Sequence, residues 1–185
     1  MEIITAHITD TFHTLPDKEE YLSSCELGRY EKISSEKRRR EFLVGRYLLK
    51  KELAKRLKSK PDIQIDENGK PYVDGIHFNM SHSKDMFVLV FDDEEIGVDV
   101  EYINPKRNTD SLITVFEDSI IEEYNALPAA DKLLFFYKHW TQKEAYIKLT
   151  QARFYTPASE DKSVQFQTHQ LSSDYMVSIA SYKLS

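Results

Sequence analysis

With 185 residues and a net charge of −6, the chain is long enough to bury a sizeable core and too acidic overall for a general nucleic-acid binder. A hydrophobic fraction of 41% and an aromatic fraction of 12% exclude intrinsic disorder, and no stretch approaches the roughly 18 apolar residues of a membrane span. The opening MEIITAHITD lacks the basic flank and apolar run of a signal peptide, and Cys25, the single cysteine, can make no internal disulfide, so a cytoplasmic protein is expected.

No Pro/Gly/Ser linker or repeat divides the chain, which reads as one compact domain or two small fused ones. Residues 2–8 read as a strand and 17–32 as a helix with a polar face. Ser34 or Ser35 caps a long helix running to about Lys58, with Phe42, Leu49, Leu53 and Leu57 as an apolar stripe. Gly45 in its middle costs about 1 kcal/mol against alanine, which points to close packing there. Residues 37–60 carry eleven of the twenty-five Lys and Arg against two acids, Glu41 and Glu52. Such a run is either a solvated helix face or a surface for anions and acidic partners.

Asn68-Gly69, between the alternating runs of IQIDENGKPYV, signals a hairpin over 63–73. Residues 76–79 read as the end of a strand, with a polar turn from Met80 to Lys84. MFVLVF (86–91) and IGVDVEYI (96–103) flank Asp92–Glu95 and predict a second hairpin. A short helix near 117–126, stopped by Pro128, precedes a longer one near 131–149, and strands at 164–167 and 175–182 close the chain. The order is that of an α+β protein with the 96–103 strand near its middle.

That strand carries the first chemical signal. Ile96, Val98, Val100 and Tyr102 alternate with Gly97, Asp99 and Glu101, so two carboxylates roughly 7 Å apart share one face and call for a cation. HWTQKEAYIKLT (139–150) offers the second. On a helix Trp140, Glu144 and Lys148 share a face, either as a surface Glu144–Lys148 ion pair or, with Asp99 and Glu101, as a three-carboxylate cluster suited to Mg²⁺ beside a phosphate-facing lysine. FNMSHS (78–83) places Ser81 and His82 in the predicted turn, where hydroxyl and imidazolium donors suit a phosphate monoester and an ordinary turn histidine is the plainer reading. Lys70 follows the first hairpin turn.

The order GKP, FNxSHS, IGVDVE and WTxKEAxxK, here Lys70, Asn79 to Ser83, Ile96 to Glu101 and Trp140 to Lys148, resembles the 4′-phosphopantetheinyl transferases of the surfactin-synthetase-activating type. RYEKISSEKRRREFLVGRYLL is similar to that family's basic amino-terminal helix. The resemblance implies an α+β fold of two similar α/β halves related by a pseudo-two-fold axis, here 1–97 and 98–185, with coenzyme A and Mg²⁺ between them. It implies that Asp99, Glu101 and Glu144 bind the metal, that Lys148 meets the pyrophosphate, that His82 with Ser81 meets the nucleotide 3′-phosphate, and that Lys70 lies on the adenine side. Arg29, Lys37 and Arg39 are candidates for further 3′-phosphate contacts, with Arg38 and Arg40 as neighbours able to take the role. Glu123 falls near a family acid sometimes placed by the metal, though an exposed helical glutamate is the plainer reading. Gln151 stands where the family has glycine, a departure that bears on the cleft wall and carrier preference; Phe154 and Tyr155 belong to the same loop.

The implied reaction moves the phosphopantetheine arm of coenzyme A onto a serine of an apo acyl or peptidyl carrier protein and releases adenosine 3′,5′-bisphosphate. Glu144 is the general-base candidate and Lys148 stabilises the leaving phosphate, with Lys143 in a lesser or structural role and Trp140 as a packing anchor. A monomer with no nucleic-acid or membrane partner is expected. The competing readings are a metal-dependent phosphodiesterase or nuclease, and a non-catalytic coenzyme A or carrier binder.

Overall fold

The computed structural model describes residues 1–57, 63–66, 69–153 and 161–183. Lys58, Lys60, Asn68, Phe154 and Tyr155 fall outside the described residues. The chain forms two compact units, one made of Thr5–Ile76 with Asp85–Phe87, the other of Met1–Ile4, His77–Lys84 and Val88–Ser185.

The first unit is built on helices. Strand β1 (Glu2–His7) leads into α1 (Ile8–Phe12), and the single helix expected over 17–32 is instead α2 (Lys18–Tyr21) and α3 (Ser24–Glu31). The break has a local cause. Leu22 is extended and buried, and Ser23 opens a new helix with a capping box: its hydroxyl accepts from Glu26 N at 3.3 Å while its own N–H donates to the Glu26 carboxylate at 2.8 Å. Helix α4 (Glu36–Leu57) starts where the sequence predicts, with Ser35 Oγ accepting from Arg38 N. Its buried stripe is wider than expected, taking in Leu43, Val44 and Leu48 beside Leu49 and Leu53. Gly45 packs closely, since a Cβ there would meet the Phe87 ring at 3.3 Å. Strands β2 (Gln64–Ile65) and β3 (Pro71–Tyr72) form the expected antiparallel hairpin, with Gly69 at a φ of 83°.

The second unit holds most of the two three-stranded sheets. Strand β4 is His77–Ser83, so the polar turn expected from Met80 is strand instead, and the reversal comes at Lys84, whose φ is 55°. Strand β5 (Met86–Asp92) lies between β1 and β4 in one three-stranded sheet; β1 and β5 contribute residues to both units. The hairpin predicted between β5 and β6 (Ile96–Tyr102) does not form. Strand β6 pairs antiparallel with β8 (Tyr175–Tyr182), from Ile96↔Ser181 to Tyr102↔Tyr175, in a separate sheet ordered β6-β8-β7, with β7 spanning Val164–Leu171. Alternation marked β6 as a strand without naming its neighbour, and sequence adjacency named the wrong one.

A 3₁₀ turn at Ile113–Val115 and helix α5 (Asp118–Ala126) precede α6 (Ala129–Thr150), the helix that positions the site. Phe116, Ile120, Tyr124, Phe136 and Tyr137 form a core cluster with Ile103 and Met176, and Trp140 packs against it, stacked on Phe136. Helix α6 rests on β6 at Gly97: a Cβ there would lie 2.1 Å from the Ala145 carbonyl oxygen and 2.7 Å from Leu149 N. Only glycine permits that approach, which carries Lys148 to the neighbourhood of Asp99.

Candidate active site

The free edge of β6 is dressed by side chains of β4. Every second residue of FNMSHS faces it: Asn79 Oδ1 accepts from Val98 N at 3.3 Å, Ser81 Oγ donates to Asp99 Oδ1 at 2.8 Å, and Ser83 Oγ donates to Glu101 Oε2 at 2.8 Å while accepting from Tyr102 N at 3.0 Å. Period-two geometry produces the pattern, since residues 79, 81 and 83 point to one face and His82 to the other. Ser81 is buried and His82 exposed, so the two residues grouped by sequence as one phosphate contact present their side chains oppositely. The expected turn would have left both free; on a strand Ser81 is engaged by an acid.

Lys148 completes the arrangement. Its Nζ donates to Asp99 Oδ1 at 2.8 Å, to Val98 O at 3.0 Å and to Ser81 Oγ at 3.0 Å, three acceptors for three protons. Among the described residues its ion-pair partner is Asp99, 49 positions away, rather than the helical neighbour Glu144. Asp99 is buried, and its second oxygen, Oδ2, is buried with no hydrogen-bond partner among the described residues.

The other two acids feel a deficit of positive charge. Burial pushes the Glu144 carboxyl above its ordinary value, and Asp99 and Glu101 push it further against the pull of Lys148 and Lys143. Glu101 is raised for the same leading reason, with Asp99 adding to the shift and Ser83, Arg107 and Lys148 opposing it. Asp99, Glu101 and Glu144 are therefore in mutual electrostatic reach, although among the described residues no three acidic, histidine or cysteine side chains are gathered closely enough to hold a metal ion. The donor set itself fits a small hard cation: carboxylate oxygens only, with Lys148 paired to one of the three acids, and on Asp99 a buried oxygen without a hydrogen-bond partner among the described residues.

Arg107 escaped the sequence reading. It lies in the turn after β6, its guanidinium over the Phe136 and Trp140 rings at 6.0 and 5.8 Å, and its charge lowers the Glu101 carboxyl. The basic NPKR turn directly after the acid strand was the available signal. Lys143 is almost wholly buried, with Nζ 4.0 Å from Glu117 Oε1 and over the Phe116 ring, a structural placement. Glu123 is an exposed residue of α5.

The remaining candidates belong to the helical unit. Arg39 is engaged locally, its Nε donating to Ile33 O at 2.6 Å, its Nη1 to Glu36 at 3.2 Å, with its guanidinium over Tyr30. Lys37 is exposed and 3.6 Å from Glu41, and Arg29 is half-buried with its charge felt by Arg46. Lys70 N donates to Asp66 Oδ1, closing the turn. Arg46 and Lys50 belong to the basic run read as either a solvated face or a surface for anions and acidic partners; they instead point inward and close together on buried Glu26.

Residues 95–182 match the profile of the 4′-phosphopantetheinyl transferase superfamily. The chain is 33% identical over 149 residues to the 4′-phosphopantetheinyl transferase HetI of Nostoc sp., an alignment covering 74% of this chain and 62% of that protein. It is 37% identical over 116 residues to AcpT of Salmonella typhimurium, covering 60% and 58%, and 36% identical over 126 residues to AcpT of Escherichia coli, covering 65% and 63%. The chain thus spans about three fifths of the length of these curated relatives.

Proposed function

We propose, from the premise that residues 95–182 form a domain of the 4′-phosphopantetheinyl transferase superfamily, that this chain transfers the phosphopantetheine arm of coenzyme A to a serine hydroxyl of an apo carrier protein. The observation that carries the reading is the joining of β6 and α6 at Asp99 and Lys148, with Glu101 and Glu144 in electrostatic reach. Two segments far apart in sequence supply one anionic cluster bordered by an ammonium, the composition a pyrophosphate centre needs.

Asp99, Glu101 and Glu144 would hold Mg²⁺, which when bound supplies charge neutralisation at the pyrophosphate oxygens. The chain's own groups do the rest. Glu144 would receive the proton of the carrier serine as that oxygen attacks the β-phosphorus and the pyrophosphate bond to the nucleotide breaks. Lys148 brings its positive charge to the same centre and would stabilise charge on the departing adenosine 3′,5′-bisphosphate. Trp140, stacked on Phe136 in the core, anchors α6 so that Glu144 and Lys148 keep their bearing on β6.

The other assignments form part of this proposal. His82, exposed on β4, is offered to the nucleotide 3′-phosphate, with Arg29, Lys37 and Arg39 as further cationic candidates and Lys70 on the adenine side. Ser81 supports this centre through Asp99 rather than by touching phosphate. Assignment to the surfactin-activating type rests on motif order, and the carrier surface is the exposed basic part of α4, including Lys51 and Lys55, which suits an acidic helical partner.

Intact-mass measurement of a purified apo carrier incubated with coenzyme A, Mg²⁺ and this protein tests the proposal. A gain of one phosphopantetheine mass supports it. An unchanged carrier mass, across acyl and peptidyl carriers, refutes it.

A further inference from the structure

We infer that Ser83 is the positioning residue of Glu101: its hydroxyl fixes one carboxylate oxygen of that acid so that the other is presented to a divalent cation. The inference rests on the metal role proposed for Glu101 and adds a residue to which neither sequence nor relatives assigned a part.

Two acids two residues apart on β6 meet two serines two residues apart on β4, each pair separated by eighteen positions, Ser81 with Asp99 and Ser83 with Glu101. The pairings are not equivalent. Asp99 Oδ1 also receives Lys148, so its position is set by two donors, whereas among the described residues the Glu101 carboxylate accepts a hydrogen bond from Ser83 alone. Glutamate has one more rotatable bond than aspartate and loses more freedom when ordered. The acid with the longer side chain is therefore the one whose orientation depends on a single hydroxyl.

That hydroxyl is itself oriented. Ser83 Oγ accepts from Tyr102 N at 3.0 Å, which directs its proton toward Glu101 Oε2 rather than toward solvent. A backbone amide thus sets a hydroxyl, and the hydroxyl sets a carboxylate. Groups that orient ligands from behind in this way change metal affinity about 10- to 100-fold when removed.

Threonine and valine at position 83 make the test clean. Both keep a β-branched shape that suits a strand, and they differ in the hydroxyl alone. Mn²⁺ binding to the full chain, read by electron paramagnetic resonance of the free ion, is expected to weaken about 10-fold or more in Ser83→Val and to stay near that of the unaltered protein in Ser83→Thr. In a Glu101→Gln background, where Mn²⁺ binding is already weakened, Ser83→Val is expected to add nothing further. Thermal unfolding of both variants reports any purely structural cost from Tyr102 N. Equal Mn²⁺ affinity in the Val and Thr variants, with Glu101→Gln still impaired, overturns the inference alone. Undiminished Mn²⁺ binding in Glu101→Gln overturns it together with the metal role on which it rests.

Discussion

Lys148 Nζ lies 2.8 Å from Asp99 Oδ1, joining a helix to a strand 49 positions away in sequence. The carboxylate is nearly buried, its side chain 8% exposed, while the lysine is 29% exposed. Lys148→Ala leaves that charge without its cation, and the expected cost is about 1–3 kcal/mol, less than for a fully buried pair because water reaches the lysine side. Transfer activity is expected to fall at least about 100-fold. Lys148→Arg is not expected to restore it, because a planar fork cannot satisfy three acceptors arranged around one ammonium. Urea denaturation and single-turnover transfer measure the two effects; unaltered stability in Lys148→Ala contradicts the burial argument.

Gly97 sets the distance between β6 and α6. The Cβ of Gly97→Ala would sit 2.1 Å from a backbone carbonyl, so no side-chain rotation relieves it. The expected destabilisation is about 3 kcal/mol, at the upper end for overpacking. Because Gly97 and Asp99 share a face of β6, displacement of α6 also withdraws Lys148, and activity is expected to fall further than stability alone explains. Chemical denaturation with transfer assays below the unfolding range separates the two.

His139 gives a pH prediction away from the acids. Burial pushes its imidazole down to about 4, Lys138 adds to the effect, and the ring packs against Phe135 and Phe116 beside a cavity of about 430 Å³ that Lys143 and Lys183 also line. The unfolded chain takes up the proton near the ordinary value of 6.5, the folded chain only near 4. Between those values the unfolded state binds more protons, so this residue's contribution to stability is complete above about 6.5 and is lost as pH falls toward 4. Denaturation midpoints of His139→Phe are expected to show a shallower decline across that window than those of the unaltered protein. Parallel curves contradict the assignment.

The exposed lysines of α4 predict salt-sensitive capture of an acidic carrier. Lys51→Glu with Lys55→Glu is expected to raise carrier KM several-fold at low ionic strength, with the difference shrinking as the Debye length falls to about 8 Å at physiological salt. kcat is expected to stay within about twofold, since steering charges act on encounter rather than chemistry. Carrier titrations at two salt concentrations decide it; a KM that does not respond at low salt removes this face as the docking surface.

The elements that hold the site were largely legible in the sequence, and their partners were not. Alternation marked β6, and the Trp140-to-Lys148 spacing marked α6, because each pattern is written within one short segment. Pairing is not local: proximity suggested β5 as the neighbour of β6, while β8, more than 70 residues on, occupies that edge. The serines of FNMSHS were read as a polar turn because Ser, His and Asn are turn-rich types. Their hydroxyl and amide groups instead serve the edge of another strand, a tertiary role that propensity cannot register. The same holds for Lys148. Helical spacing left it between an ion pair with Glu144 and a phosphate-facing place beside the acid cluster, and the packing at Gly97 brings it to Asp99 instead.

Asp99, Glu101 and Glu144 are expected to act on one cation. Crystals grown with coenzyme A and Mn²⁺ and measured at the manganese edge answer this in a single anomalous map. The predicted result is one peak with oxygen ligands from all three carboxylates and from the pyrophosphate. A peak bound elsewhere, or nucleotide seated with those three side chains turned away from the metal, would contradict it.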